Sequence, residues 1–170
     1  MRRVLDALYD AAAWLAALMM VGVLAMVLLS IAGRQLHFHL PGTDAYAGYL
    51  MAGSGFLALA HTLKRGEHIR VTLLLQALKG TPRRAMELWS LSVAGLLAIA
   101  FAFYAIKLAW QSHAFNDVST SNDATPLWIP QIGMAVGAVL LAVALIDDWV
   151  LALRGRTVER APDAEPLRNE

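Results

Sequence analysis

The sequence predicts an all-α integral membrane protein with four transmembrane helices, both termini in the cytoplasm, and a short amphipathic interfacial helix between spans two and three. Of the 170 residues, 58% are hydrophobic and only 16% are charged, and the mean hydropathy is +0.54. A soluble domain is about 25% charged, because it must cover its surface with groups that face water. Four nearly charge-free stretches of about 20 residues are each long enough to cross the roughly 30 Å hydrocarbon core of a bilayer. Membrane lipids are therefore the expected surroundings of this chain.

The boundaries of the spans follow from these apolar stretches and from residues that start helices. Thr43, Thr81 and Thr125 suit the N-cap position, and Pro82 and Pro126 follow two of them. Proline is favoured at the first helical position, where its missing N–H costs nothing. The first stretch is longer than the roughly 7–15 apolar residues of a signal peptide, so we expect it to be retained as a span. The expected spans are 11–33, 44–63, 84–107 and 126–150.

Two segments outside the spans have a different character. Residues 67–78 mix apolar and charged side chains and are too short to cross a bilayer, which predicts an amphipathic helix on the cytoplasmic interface. Residues 155–170 contain two prolines and alternating charges without apolar periodicity, which predicts a disordered cytoplasmic tail. The chain is thus expected to form one four-helix membrane domain over residues 1–154, followed by the tail.

The positions of lysine, arginine and tryptophan predict how the spans are oriented. Short loops rich in Lys and Arg stay in the cytoplasm. Twelve of the 14 such residues precede span one, separate spans two and three, or follow span four. Both termini are therefore expected inside. Tryptophan prefers the two membrane interfaces, and all five tryptophans lie near span ends, where they are expected to act as anchors: Trp14, Trp89, Trp110, Trp128 and Trp149.

Polar groups within the spans are too sparse for a catalytic or ion-coupling site. Ionisable side chains at mid-depth are costly and usually mark a pathway. Here Glu87, Lys107, Asp147 and Asp148 all lie near span ends, where we expect them to reach water. No Ser, His and carboxylate share one depth, so we expect no enzymatic activity, no cofactor and no metal. Loop histidines on the outer side leave one alternative metal set open: His37, His39 and His113.

The lack of cysteine and the balanced charge argue against disulfides, thiolate metal sites and nucleic-acid binding. Zero cysteines remove disulfides and thiolate metal sites. A formal net charge of +1 gives no reason to expect binding to nucleic acid.

Small residues form faces on two of the predicted spans. Gly48, Ala52 and Gly55 recur at helical spacing on span two, and Gly133 and Gly137 form a G-x-x-x-G motif on span four. Helices in lipid associate where small residues let their backbones approach closely. These faces are expected either to pack within the chain or to dock onto a partner, and the sequence leaves both possibilities open.

Several features between residues 34 and 78 follow one another in a specific order. Arg34 closes the first span, Asp44 opens a glycine-rich second span, and the string Lys-Arg-Gly-Glu-His-Ile-Arg-Val follows at residues 64–71. In this order they resemble the small permease subunit of tripartite ATP-independent periplasmic (TRAP) transporters. The chain departs from that family at Thr43 and Asp44, where Trp and Glu are common, and at Thr72, where an acidic or amide residue is common.

The resemblance implies a heterocomplex in the bacterial inner membrane. Its implied partners are a large TRAP permease subunit, which holds substrate and sodium, and a periplasmic substrate-binding protein, which delivers organic acids for symport. The small subunit is then a non-catalytic scaffold for the stationary part of an elevator-type transporter. Expected contacts with the large subunit are Arg34, Asp44, Gly48, Ala52, Gly55, Arg65 and His68.

Two other functions stay open on the residues alone. A quinone- or haem-linked membrane anchor of a redox complex also uses few spans and no soluble domain, and a haem absorption band would identify it. A self-contained multidrug or ion carrier needs a mid-span carboxylate, which the predicted spans lack.

Overall fold

Long apolar stretches, interrupted by short polar segments, form four α-helices in the computed structural model, which describes residues 2–38, 40–65 and 81–154. The helices are α1 (Arg2–Gln35), α2 (Thr43–Arg65), α3 (Thr81–Ala114) and α4 (Trp128–Leu153). The described residues contain no β-strand, and their one isolated bridge joins Val118 to Pro126. The expected all-helical class is confirmed.

The helices pack in an order that differs from their order in the chain. The extensive contacts are α1 with α2, α2 with α4, and α4 with α3. Helices α2 and α4 therefore occupy the middle of a row, and α1 and α3 lie at its two edges. Edge helices expose most of their apolar surface, as Leu18 and Leu24 of α1 and Leu96 of α3 do.

Side-chain contacts bring the helix termini together at two ends of the molecule. At what we call the Lys64 end, the last residues of α2 and α4 meet the first turns of α1. Arg84 of α3 also donates to the Leu153 carbonyl there, at 3.1 Å. At the Asp44 end, Ser30 near the end of α1 bonds to Asp44 at the start of α2. Successive helices therefore run in alternating directions.

The interior of the described part is built mainly from alanine and glycine. Of the sixteen buried hydrophobic residues, ten are alanines: Ala12, Ala16, Ala60, Ala98, Ala102, Ala105, Ala135, Ala138, Ala142 and Ala144. A Cβ added at Gly137 would lie 2.4 Å from the Phe56 carbonyl group, and one at Gly133 would lie 3.4 Å from the Gly53 Cα. Helices α2 and α4 thus approach at backbone distance, as helices in lipid do when small residues line their contact.

Three of the four helices are long and apolar enough to cross a membrane by length and composition: Val4–Gln35, Pro82–Ala114 and Trp128–Leu153. Helix α2, the expected second span, is not among them, because glycine, serine, tyrosine and histidine dilute its apolar residues. Its central place in the row accounts for this composition, since α1 and α4 cover two of its sides and reduce the surface that α2 itself must expose. A fourth span therefore stays a prediction.

The helix boundaries agree in part with those expected. Helices α2 and α3 begin at Thr43 and Thr81, whereas α1 already begins at Arg2 and α3 continues to Ala114. The expectation that Thr125 caps α4 is wrong: the N-cap is Leu127, with no side-chain cap bond. The Thr125 carbonyl accepts the Ser119 N–H instead, and its hydroxyl donates to Tyr46. The expected interfacial helix at 67–78 and the tail at 155–170 lie outside the described residues.

Candidate functional site

An uncovered face of small residues runs along α2. Within the described part of the chain, Gly48, Ala52 and Gly55 are all exposed, and a Cβ added at Gly48 or Gly55 would meet nothing within 4 Å. Asp44 and Met51 share this face, because positions 44, 48, 51, 52 and 55 recur at helical spacing. We call Gly48, Ala52 and Gly55 the small face, and Asp44 and Met51 border it. The structure therefore brings together four of the predicted contact residues on one side of a central helix.

The other small-residue motif is used inside the chain. Gly137 packs against the Phe56 backbone and Gly133 against Gly53, so the G-x-x-x-G motif of α4 joins α4 to α2. On the far side of Gly53, an added Cβ would lie 2.9 Å from the Met19 sulfur of α1. The sequence left internal packing and partner docking open for both motifs, and the structure assigns internal packing to this one.

Arg34 and Asp44 are joined through a hydroxyl at the Asp44 end. Arg34 Nη2 donates to Ser30 Oγ at 3.4 Å, and Ser30 Oγ donates to Asp44 Oδ1 at 3.4 Å. All three line a cavity of about 360 Å³ between the end of α1, the start of α2 and the α3–α4 loop. His37 also lines it, and its backbone is left-handed, with φ of 59°. A cavity of this size and mixed lining can hold a small polar group.

The loop between α3 and α4 is fastened to the first turns of α2. Tyr49 donates its hydroxyl to Asp123 Oδ2 at 3.2 Å, and Thr125 bonds to the Tyr46 hydroxyl at 3.2 Å. Hydrogen bonding from Thr125 holds the pKa of the Asp123 carboxyl below its ordinary value. Gly42 has φ of 83°, and a Cβ there would lie 2.7 Å from the Asp123 Cβ, so this turn requires glycine. The loop thus forms one wall of the cavity.

A cluster of charges links three helices at the Lys64 end. Lys64 Nζ lies 2.6 Å from Asp147 Oδ2 and 3.3 Å from Asp148 Oδ1, and it also sits 5.7 Å from the centre of the Tyr9 ring. Asp148 is fully buried. The expectation that these carboxylates reach water is therefore wrong for Asp148, whereas the Asp147 side chain is 26% exposed. Nothing local in the sequence predicts this cluster, because Lys64 lies 83 and 84 residues from the two aspartates.

The remaining predicted residues are distributed over the surface. Trp14, Trp89 and Trp110 are largely exposed, while Trp149 donates its indole N–H to Ser92 Oγ at 2.9 Å. Arg65 is exposed at the end of α2. His68 and His39 lie outside the described residues. The His113 ring packs edge-on against Trp128, whereas His37 lines the cavity.

Apolar helices joined through alanine and glycine, with their charges at the helix ends, define a helical membrane protein that packs against lipid and other helices. The family model described as tripartite ATP-independent periplasmic transporters, DctQ component, matches residues 23–155. The chain belongs to this family and is a small component of a TRAP transporter. Its expected family is thereby confirmed. The match gives no support to the redox-anchor alternative. No curated protein matches the sequence.

Proposed function

We propose that this chain is the non-catalytic scaffold of the large permease subunit in a TRAP-type secondary transporter of the bacterial inner membrane. In this proposal the large subunit works as an elevator and couples sodium to uptake of organic acids. A periplasmic binding protein delivers those acids. The small subunit enlarges the stationary part of the assembly and anchors it at both interfaces.

The observation that carries this proposal is the uncovered small face on a central helix. Glycine in a helix interior lowers helix stability by roughly 1 kcal/mol relative to alanine, so glycines that pack against nothing need another reason. Gly48 and Gly55 meet no neighbour within the described part of the chain. Close approach of a helix from the large subunit supplies that reason. Asp44 and the Arg34 bound to it through Ser30 border the same face, and Arg65 lies at the other end of α2.

Substitution of Gly55 by leucine tests the docking role. We expect Gly55→Leu to reduce co-purification of the large permease subunit by about ten-fold, because a bulky side chain prevents close helix approach at a cost of roughly 1–3 kcal/mol. The measurement is the ratio of the two subunits after affinity purification of the tagged small subunit. The thermal stability of the isolated small subunit should not fall, because leucine is a better helix former than glycine.

Ala100→Leu is the matched control, since Ala100 is also an exposed small residue in the interior of a long helix. It lies on α3, away from the small face. Equal co-purification of Gly55→Leu, Ala100→Leu and the unmodified chain would contradict docking through α2.

A further inference from the structure

The cavity at the Asp44 end differs from the grooves between the helices because its wall carries charges of both signs. The groove between α3 and α4 around Gly95 and Trp149 is lined almost entirely by apolar side chains. The cavity is lined by Arg34 and by Asp44. An occupant that matches it must therefore present an anionic and a cationic group together.

The two charged side chains of the cavity do not neutralise each other directly. Among the described residues no ion pair within 4.0 Å involves Arg34 or Asp44, and the hydroxyl of Ser30 stands between them. Each of their bonds to Ser30 is long, at 3.4 Å. Both charges consequently keep donor or acceptor capacity for a ligand whose own charges are a short distance apart.

The Thr43 side chain adds a third polar group to the wall of the cavity. Thr43 is only 8% exposed and lines the cavity, and within the described part of the chain its hydroxyl has no hydrogen-bond partner. Thr43 also begins α2, a helix of 23 residues whose first backbone N–H groups favour an anion. Arg34, Thr43 and this helix start together form a set of donors suited to a phosphate.

The rim of the cavity is apolar. Leu29, Phe38 and Leu40 line it and are each about 40% exposed. Leu29 belongs to the last turns of the apolar helix α1, so the cavity lies where that helix would leave the hydrocarbon. A polar interior with an apolar rim at this depth fits an amphipathic molecule.

We propose that this cavity binds the headgroup of a zwitterionic phospholipid with a primary amine, namely phosphatidylethanolamine. Its phosphate contacts Arg34, Thr43 and the start of α2, its ammonium donates to Asp44, and its acyl chains leave over Leu29 and Phe38. This inference rests on the proposed placement of the four helices in a bilayer. Because Asp44 borders the small face, the lipid lies at the edge of the proposed docking surface.

The test is lipid binding to the purified full-length chain in detergent, measured by native mass spectrometry during titration. The probes are short-chain phosphatidylethanolamine, phosphatidylcholine, which has no ammonium N–H, and phosphatidylglycerol, which has no amine. We expect phosphatidylethanolamine to bind about ten-fold more tightly than either, because a hydrogen bond between charged groups contributes that factor. Asp44→Asn should abolish this preference, and Arg34→Gln should weaken all three lipids.

Two controls make the same charge changes away from the cavity. Asp117→Asn removes an exposed carboxylate of the α3–α4 loop, and Lys107→Gln removes an exposed cation near the end of α3. Both should bind lipid as the unmodified chain does. Water-soluble phosphoethanolamine, added as a competitor, should bind far more weakly than the lipid, because it lacks the chains that cover the rim.

Three outcomes overturn the inference. The first is equal binding of the three lipids to the unmodified chain. The second is phosphoethanolamine binding as tightly as the lipid, which would make the cavity a site for a soluble phosphate. The third is loss of large-subunit co-purification in Asp44→Asn without any change in lipid binding, which would make the cavity a protein contact. If lipid preference is absent while the subunits still co-purify, only the lipid inference fails and the proposed function stands.

Discussion

Lys64, at the end of α2, contacts two carboxylates of α4. This cluster contributes more to the stability of the protein than an ordinary surface ion pair does. Its ammonium lies 2.6 Å from Asp147 and 3.3 Å from the fully buried Asp148. Exposed ion pairs contribute about 0–1 kcal/mol. Removing one partner of a buried pair is far more costly, because the remaining charge stays in a medium of low dielectric constant.

Replacing Lys64 by alanine should therefore destabilise the protein. We expect Lys64→Ala to lower the free energy of unfolding by about 3 kcal/mol, at the low end of the range for buried pairs, because Lys64 itself is partly exposed. The measurement is thermal or denaturant unfolding in detergent. Arg65→Ala is the control, since Arg65 is the adjacent, exposed cation of the same helix.

Asp147→Asn gives a second comparison within the same cluster. In this variant Lys64 still faces one carboxylate, that of Asp148. The free energy of unfolding should therefore fall less than it does in Lys64→Ala. Equal stability of Lys64→Ala and Arg65→Ala would show that the cluster is solvated like any helix end.

At the residue scale, the sequence predicts chemistry that depends on local spacing and misses chemistry that depends on distant pairing. The spacing of Gly48, Ala52 and Gly55 on one side of α2 follows from the sequence, whereas their exposure does not, because the glycine motif of α4 packs inside the chain. From the sequence, Lys64 is interpreted as part of the positive charge that sets topology, and Asp147 and Asp148 as side chains that reach water at a span end. Nothing near them in the chain indicates that α2 and α4 are neighbours. The role of Ser30 between Arg34 and Asp44 is missed for the same reason.

Glycine allows α2 and α4 to approach each other more closely than any other two helices in the described structure. A methyl group at Gly137 would overlap the Phe56 carbonyl group at 2.4 Å, and backbone atoms cannot rotate away as a side chain can. The two helices must then separate, and the alanine contacts beside Gly137, such as Ala138, are weakened along with it.

Gly137→Ala should consequently destabilise the helix pair by about 1–3 kcal/mol, as overpacking of a well-packed interior does. Gly55→Ala is the matched variant, because both substitutions add one methyl to a helical glycine and only one meets a neighbour. Unfolding monitored by circular dichroism in detergent measures the difference. If both variants unfold alike, α2 and α4 do not touch at Gly137.

The start of a helix could be predicted where neighbouring residues determine it, as in α2 and α3. It could not be predicted for α4, whose start depends on contacts of the α3–α4 loop with a distant residue. Helices α2 and α3 begin at Thr43 and Thr81, the residues that the capping pattern in the sequence marks as helix starts, although Thr43 is the first helical residue and its hydroxyl forms no capping bond among the residues that the structure describes. At Thr125 the same pattern fails, because the chain there forms a bridge between Val118 and Pro126 and bonds to Tyr46. Hydrogen bonds to a distant tyrosine compete with capping, and they delay the start of α4 to Trp128.

The whole molecule has two chemically different ends, and the bias of lysine and arginine predicts that they face opposite sides of the membrane. The natural absence of cysteine permits a direct measurement. A single cysteine at Ser121, in the α3–α4 loop, should react with a membrane-impermeant maleimide in intact spheroplasts. A cysteine at Arg154, after α4, should react only after permeabilisation.

Reaction of both positions from the same side would contradict the proposed topology. A cysteine at Leu36, after α1, extends the measurement to the second helix. Labelling of a cysteine at position 36 from outside and of one at position 65 from inside would require that α2 crosses the bilayer. Helix α2 is not among the helices that are apolar enough to cross by length and composition.

The dilute apolar character of α2 also bears on biosynthesis. A helix of this composition partitions weakly from the translocon into lipid when it emerges alone, because Gly53, Ser54 and Gly55 at its centre favour insertion less than large apolar residues do. Helix α1 is strongly apolar and packs along α2, with His61 lying 3.3 Å from Asp10 and Ser30 bonded to Asp44 at the two ends. The nascent chain should therefore insert α1 and α2 as a hairpin. A newly made copy that finds no partner would leave its glycines facing lipid, where quality-control proteases can recognise an orphan.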